Sequence, residues 1–229
     1  MKNSDLERKI NIIEETDEYI VVYKPAGLSV QSRRLTEKTL ETAIRADNRS
    51  IRYLAAVNRL DQPVEGLVLL AKSPAAAAEL TKQISEHSVK KEYLAVVEGI
   101  PQKREDILED YLLRDGAANT SSVVKRGTKG AKKARLSYIC EKREGNYSLL
   151  RISLYTGRHH QIRVQLANAG MPILGDRKYN KSNSDIAFPA LCACCLEFTN
   201  PKGKKRLHYE IEPMGKAFRE IQTDGETAK

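Results

Sequence analysis

The sequence predicts an α+β protein. Apolar or alternating segments of strand length recur along the chain, helical spacing appears at only a few places, and the two do not alternate in a regular βαβ order. No internal repeat or low-complexity stretch interrupts this pattern.

"EYIVVYK" (18–24) reads as a strand that runs into the turn "PAGLSV", which carries Pro25 and Gly27. In "TEKTLETAIRAD", Leu40, Ala43 and Ile44 share a helical face, with Thr36 or Thr39 as the cap. "GLVLLAK" (66–72) is unbroken and apolar, as in a strand buried on both faces. "SPAAAAELTKQISEH" is the clearest helix, since Ser73 caps it, Pro74 suits its first turn and alanine has the highest helix propensity.

"KEYLAVVEG" alternates like a strand and closes on Gly99, whereas residues 100–114 show little pattern. "SVVKRGTKGAKKAR" (122–135) concentrates Lys125, Arg126, Lys129, Lys132, Lys133 and Arg135 and reads as a loop, either solvated or phosphate-contacting. "YSLLRISLYTGRHHQIRVQLANAG" predicts strand, turn and helix, with Thr156 as cap, Gly170 as stop and Pro172 just beyond. "LCACCLEFTNPKGKKRLHYEIEP" predicts a hairpin turning at "NPKGKK", and the segment after Met214 reads as a peripheral tail.

Composition narrows the function classes. Hydrophobic content of 41% and charged content of 30% are ordinary for a globular protein. No apolar run reaches membrane-spanning length and the start lacks a signal-peptide layout, so a cytoplasmic protein is expected. A net charge of +9 favours polyanionic partners. Cys140, Cys192, Cys194 and Cys195 form no C-x-x-C pair, and reduced, buried thiols explain them better than a zinc site does. Neither a dinucleotide nor a P-loop glycine pattern is present, so dinucleotide and P-loop chemistry have no support in the sequence.

Two stretches carry residues suited to chemistry. "VNRLDQPVEGLVLLAK" presents one carboxylate, Asp61, between Arg59 and a proline turn at the mouth of a buried strand. In "GRHHQIRVQLA", His159 and Arg163 stand four apart, as on one helical face, with Arg158 at the start. A helix N-terminus there is a seat for an anion, either an RNA phosphate or a protein carboxylate. Were Asp61 that carboxylate, an Arg163 pair would keep it ionised when partly buried.

"YKPAGLSVQS", "NRLDQPVEGLVLLAK", "KKEYLAVVEG" and "TGRHHQIRVQLANAGMPILGDRKY", in this order and spacing, resemble the RluA-type pseudouridine synthases. The likeness covers residues 12–213, leaving an N-terminal extension (1–11) and a C-terminal tail (214–229). It implies a mixed, largely antiparallel β-sheet with a central cleft flanked by helices. It also implies isomerisation of a uridine in structured RNA, ribosomal RNA ahead of transfer RNA, without cofactor or metal; a monomer is the default expectation, apart from the resemblance. By the same resemblance Asp61 matches the catalytic aspartate and Tyr93 the tyrosine that stacks on the target base. Arg163 matches the arginine that salt-bridges the aspartate, and Arg59 the arginine that fills the space of the flipped nucleotide. Arg158, His160 and Gln161 fall in the same motif and are expected to bind substrate.

The chain departs from the family pattern in places. Asn58 replaces a histidine before "RLD"; after it the family commonly has an arginine and a "TSG" segment, where Gln62, Pro63, Val64 and Glu65 fill the positions before Gly66. "HHQIR" replaces "THQIR", and Cys192 replaces a histidine. The chain leaves no room for an extra S4-type RNA-binding domain, so target selection is expected to rest on its own basic surface.

The chemistry suits these residues. Converting uridine to pseudouridine breaks an N-glycosidic bond, turns the uracil and rejoins it through carbon, with nothing oxidised and no group imported. Glycosidases pair two carboxylates, one of which activates water, while an isomerase must exclude water. Asp61 has three routes: attack on the sugar C1′, addition to the base, or removal of the C2′ proton. The base must first leave the stack, where Tyr93 offers it a π-face. Two rivals remain, a catalytically weakened RNA-binding module and a metal-independent ribonuclease using His159 and His160. Adjacent helical histidines would point about 100° apart, so the ribonuclease ranks last.

Overall fold

The computed structural model describes residues 10–32, 37–182 and 184–223. The chain divides into two compact units, Met1–Val89 with Cys195–Ile211, and Lys90–Cys194 with Glu212–Lys229. Both are built on antiparallel strands with few helices, an α+β fold.

The first unit opens with β1 (Asn11–Glu15), β2 (Tyr19–Lys24), α1 (Leu40–Asp47), the short β3 (Ala55–Ala56), β4 (Glu65–Ala71) and α2 (Pro74–Ser85). β2 pairs antiparallel with β1 and β4, setting Ile20 opposite Leu70 and Tyr23 opposite Leu67. Every residue of β2 and β4 is buried. A strand covered on both faces has no solvent side to keep polar, which is why both read as mostly apolar, with a charge only at Lys24 and Glu65 where they meet the turns. Ala76 and Leu80 of α2 pack on Tyr19, Val21, Leu67 and Leu69. Ser73 caps that helix by accepting from the Ala76 N–H at 3.1 Å. Thr39 caps α1 in a reciprocal box with Thr42, while the other candidate, Thr36, lies outside the described residues.

The second unit holds β5 (Lys90–Glu98), β6 (Glu105–Asp115), β7 (Thr120–Val124), β8 (Lys132–Glu144), β9 (Tyr147–Leu154) and α3 (Gln161–Asn168). Antiparallel pairing runs from β5 to β9, β8, β6 and β7. The weakly patterned 100–114 region contains β6, whose mostly solvent-facing side chains leave little apolar period to read. Half of the basic stretch expected to be a loop is strand, 122–124 in β7 and 132–135 in β8. In β8, Ala134, Leu136, Tyr138 and Cys140 face inward while Lys133, Arg135 and Ile139 face out. Charge on the outer face masked the alternation. Only residues 125–131 connect β7 to β8, and Lys125, Arg126 and Lys129 are exposed there.

β10 (Leu191–Thr199) and β11 (Arg206–Glu210) form the expected hairpin, with Thr199 opposite Arg206. Leu191–Cys194 belong to the second unit and the remainder of the hairpin to the first. The supposed tail carries α4 (Lys216–Thr223), which packs on β5 and buries Ala217, Phe218 and Ile221. Three apolar residues at helical spacing are the reason it docks rather than frays. All four cysteines are buried, and none forms a disulfide. Among the described residues no helix is long and apolar enough to cross a membrane.

Candidate active site

Backbone pairing leads the chain to Asp61. The Val57 N–H donates to the Leu69 carbonyl at 2.9 Å, continuing the β3–β4 ladder. Asn58 then uses its side chain as a peptide group: its Oδ1 accepts from the Leu69 N–H (2.7 Å) and its Nδ2 donates to the Leu67 carbonyl (3.2 Å). The residue that departs from the family pattern therefore fastens the segment to β4. Beyond it Arg59 is exposed, Leu60 is buried and Asp61 is half-buried. The Val64 N–H closes a turn onto the Asp61 carbonyl at 3.0 Å, so Asp61 opens the turn and β4 follows directly.

A second turn of the same unit is stitched to this one. Gln62 accepts the Gly27 N–H on its carbonyl (2.9 Å) and donates from Nε2 to the Gly27 carbonyl (3.2 Å). Gly27 sits at φ 89°, a conformation glycine adopts without steric cost. Lys24 is fully buried at the end of β2 and donates to the carbonyls of Pro25 (3.0 Å), Leu28 (2.7 Å) and Gln62 (3.1 Å). Burial pushes its pKa down to about 7, against the opposing pull of Asp61 and then Glu65. Glu65, also buried, accepts a hydrogen bond from the Tyr23 hydroxyl. Lys24, Tyr23 and Glu65 were not foreseen as site residues. Their only signal was that "YK" and "VEG" lie within the quoted motifs.

In the second unit, Tyr93 is buried on β5 opposite Ile152. The helix containing Arg163 begins later than its spacing suggested. α3 starts at Gln161, and His160 precedes it in the left-handed region at φ 54° without a side-chain cap. His159 therefore lies outside the helix and shares no helical face with Arg163. Thr156 does not cap α3 either, because its hydroxyl donates to Gln161 Oε1 at 2.7 Å. Gln161 is buried, takes the Arg158 N–H on the same oxygen (3.0 Å) and donates to the Arg135 carbonyl (3.1 Å). Its amide thus holds the turn before the helix. Arg158 is exposed, with Nε donating to the Lys133 carbonyl at 2.9 Å. Gly170 ends the helical segment as expected, at φ 76°.

The two histidines do not diverge. Their rings stack at 3.8 Å, because the left-handed step at His160 folds it back onto its neighbour. His159 Nδ1 lies 2.9 Å from Ser121 Oγ and its Nε2 lies 3.1 Å from Asn119 Oδ1. His160 Nδ1 lies 2.8 Å from the Tyr179 hydroxyl, which also accepts the Ser121 N–H at 2.7 Å.

Arg163 is 3% exposed and meets Asp176, which is 0% exposed. Nε and Nη2 each donate to one carboxylate oxygen at 2.7 Å. The guanidinium also lies over the Tyr179 ring at 5.2 Å. A carboxylate partner for Arg163 was expected, and Asp176 is one that the spacing did not reveal. It lies in the quoted "GDRKY", but helical periodicity cannot link that loop to α3. Gly175 directs it: at φ 77°, a Cβ there would stand 2.6 Å from the Phe188 carbonyl oxygen.

Asp61 and Arg59 thus belong to the first unit, and Tyr93, Arg158, His160, Gln161 and Arg163 to the second. Among the described residues no group of three His, Cys, Asp or Glu side chains is arranged to hold a metal ion.

The model of the RNA pseudouridylate synthase family matches residues 18–168. Ribosomal large subunit pseudouridine synthase C of Haemophilus influenzae is 31% identical over 205 residues, covering 86% of this chain and 63% of that protein. Its Haemophilus ducreyi counterpart is 33% identical over 212 residues, covering 90% and 66%. The chain therefore spans about two thirds of the length of these relatives. An uncharacterized RNA pseudouridine synthase of Zymomonas mobilis is 33% identical over 207 residues, covering 89% of this chain and 93% of its own length. Among solved structures, human RNA pseudouridylate synthase domain containing 1 superposes with a TM-score of 0.76 at 22% identity, covering 93% and 86%. That likeness establishes the fold.

Proposed function

The chain belongs to the RNA pseudouridylate synthase family, and on that premise we propose that it isomerises a uridine of structured RNA to pseudouridine through Asp61. The observation that carries this reading is the Asp61 turn. A half-buried carboxylate opens a turn pinned by Asn58 on one side and by Lys24 and Gly27 on the other. Such pinning fixes the backbone from which the carboxylate projects, which favours the orientation a nucleophile or base requires.

The other roles follow the motif match. Tyr93 stacks on the everted uracil, and Arg163 is the charge partner of the reacting carboxylate, itself kept in place by Asp176. Arg59 fills the space left by the nucleotide, and Arg158 contacts a phosphate; both are exposed. His160 and Gln161 support the turn before α3. The names of the Haemophilus relatives favour ribosomal over transfer RNA as the substrate. No cofactor enters the scheme, and the protein acts as a monomer in the cytoplasm, in keeping with four cysteines that form no disulfide.

The anchoring of Asn58 and Glu65 favours catalysis over a weakened binding module, since both departures are hydrogen-bonded into the turn and its flanking strands. The stacked histidines and their contacts to Ser121, Asn119 and Tyr179 disfavour the ribonuclease. Mapping pseudouridines in cellular RNA with and without the gene tests the proposal. The expected result is one or a few sites lost from ribosomal RNA, and no lost site would refute it.

A further inference from the structure

This inference rests on Asp61 as the reacting carboxylate. Each of its three routes removes the carboxylate's negative charge. Attack at C1′ forms an O–C bond while the glycosidic electron pair leaves with the uracil. Addition to the base forms an O–C bond while a ring π pair moves onto a carbonyl oxygen. Removal of the C2′ proton leaves a neutral acid while the C–H pair becomes a sugar double bond and the base departs with the glycosidic pair.

Lys24 lies in the field of that charge. Its amine donates to the three carbonyls of Pro25, Leu28 and Gln62, and only the protonated amine has three N–H donors. The Gln62 carbonyl belongs to the turn that Asp61 opens. Among the described residues the carboxylates that act on Lys24 are Asp61 on that turn and Glu65, which directly precedes Gly66, the residue opposite Lys24 in the β2–β4 pairing. Once Asp61 is neutral, Glu65 remains.

We infer that Glu65, tethered by the Tyr23 hydroxyl, is a positioning residue that keeps Lys24 protonated, and the Asp61 turn in place, through the step that neutralises Asp61. Glu65 stands where the resembling family has the serine of "TSG", so the device is a property of this chain. Burial already draws Lys24 down to about 7 with both carboxylates opposing it, so losing one at neutral pH puts the proton at risk.

The test is an NMR titration of Lys24 in full-length protein carrying isotope-labelled lysine side chains, where Asp61→Asn mimics the neutralised state. Lys24 is expected to titrate lower in Asp61→Asn than in wild type, and lower again by about one pH unit in Asp61→Asn/Glu65→Gln. In single-turnover assays, Glu65→Gln is expected to move the alkaline limb of the rate profile about one unit toward acid, with KM for RNA unchanged. Lys24→Met/Glu65→Gln is expected to lack that limb. Superimposable titrations of the Asp61→Asn single and double variants, or an unshifted limb in Glu65→Gln, would overturn the inference. If Glu65→Gln does not fold, Tyr23→Phe, which releases the Glu65 tether, is expected to shift the limb in the same direction, and no shift overturns it equally. A wild-type protein that makes no pseudouridine sinks the functional reading instead, while the titration still decides the charge coupling.

Discussion

Arg163 and Asp176, thirteen residues apart, face each other through two hydrogen bonds of 2.7 Å with both side chains buried. The bidentate geometry fixes the plane of the guanidinium as well as its place. A buried charge stripped of its partner is costly, so Asp176→Asn is expected to destabilise the protein by about 3–5 kcal/mol in denaturant unfolding. A loss below about 1 kcal/mol would show that the arginine does not depend on this acid.

Asp61→Asn preserves the shape of the turn and removes the reacting charge. Pseudouridine formation is expected to vanish while RNA affinity stays within about twofold of wild type, a difference smaller than one net hydrogen bond. Tritium release or pseudouridine mapping paired with a binding titration separates the two effects. Full turnover in this variant would remove Asp61 from the mechanism.

Lys24 gives stability a pH dependence of definite sign. Its folded value of about 7 lies below the 10.5 of an unperturbed lysine, so between these values the unfolded chain binds more protons. From this group alone, the destabilisation is complete below pH 7 and stability rises as pH climbs toward 10.5. Lys24→Met is expected to flatten that part of the stability profile. An identical slope in the two proteins would mean the lysine is not held in its buried setting.

The β7–β8 turn is the place to look for phosphate contacts. Replacing Lys125, Arg126 and Lys129 with alanine is expected to weaken RNA binding and to reduce the slope of log affinity against log salt by on the order of two. An unchanged slope would make these cations a solvated surface only.

His159→Ala/His160→Ala removes a stacked pair and the contacts to Ser121 and Tyr179. The expected cost is about 1–3 kcal/mol of stability, with isomerisation retained at a temperature where the variant is folded. RNA cleavage present in wild type and lost in this variant would revive the nuclease.

The sequence carried most of the architecture. Ser73 and Thr39 revealed themselves as caps, and the "NPKGKK" turn set the β10–β11 hairpin, because capping and turning involve residues only a few positions apart. β6 and β8 were harder to read for a different reason. Charge and exposure on their outer faces diluted the period of two that a half-buried strand otherwise shows. The start of α3 was misplaced because His160 is left-handed, and nothing in its side chain announces that.

By itself the sequence determined the buried strands and the turn that bears Asp61, through short-range patterning, and the family likeness, through four motifs in a fixed order. Only the tertiary structure decided that Arg163 is held by Asp176, that Lys24 gathers three carbonyls from two turns, and that Tyr23 tethers Glu65. A hydrogen bond forms wherever folding brings two atoms within about 3 Å, and for residues 13, 38 and 42 positions apart no periodicity records that meeting.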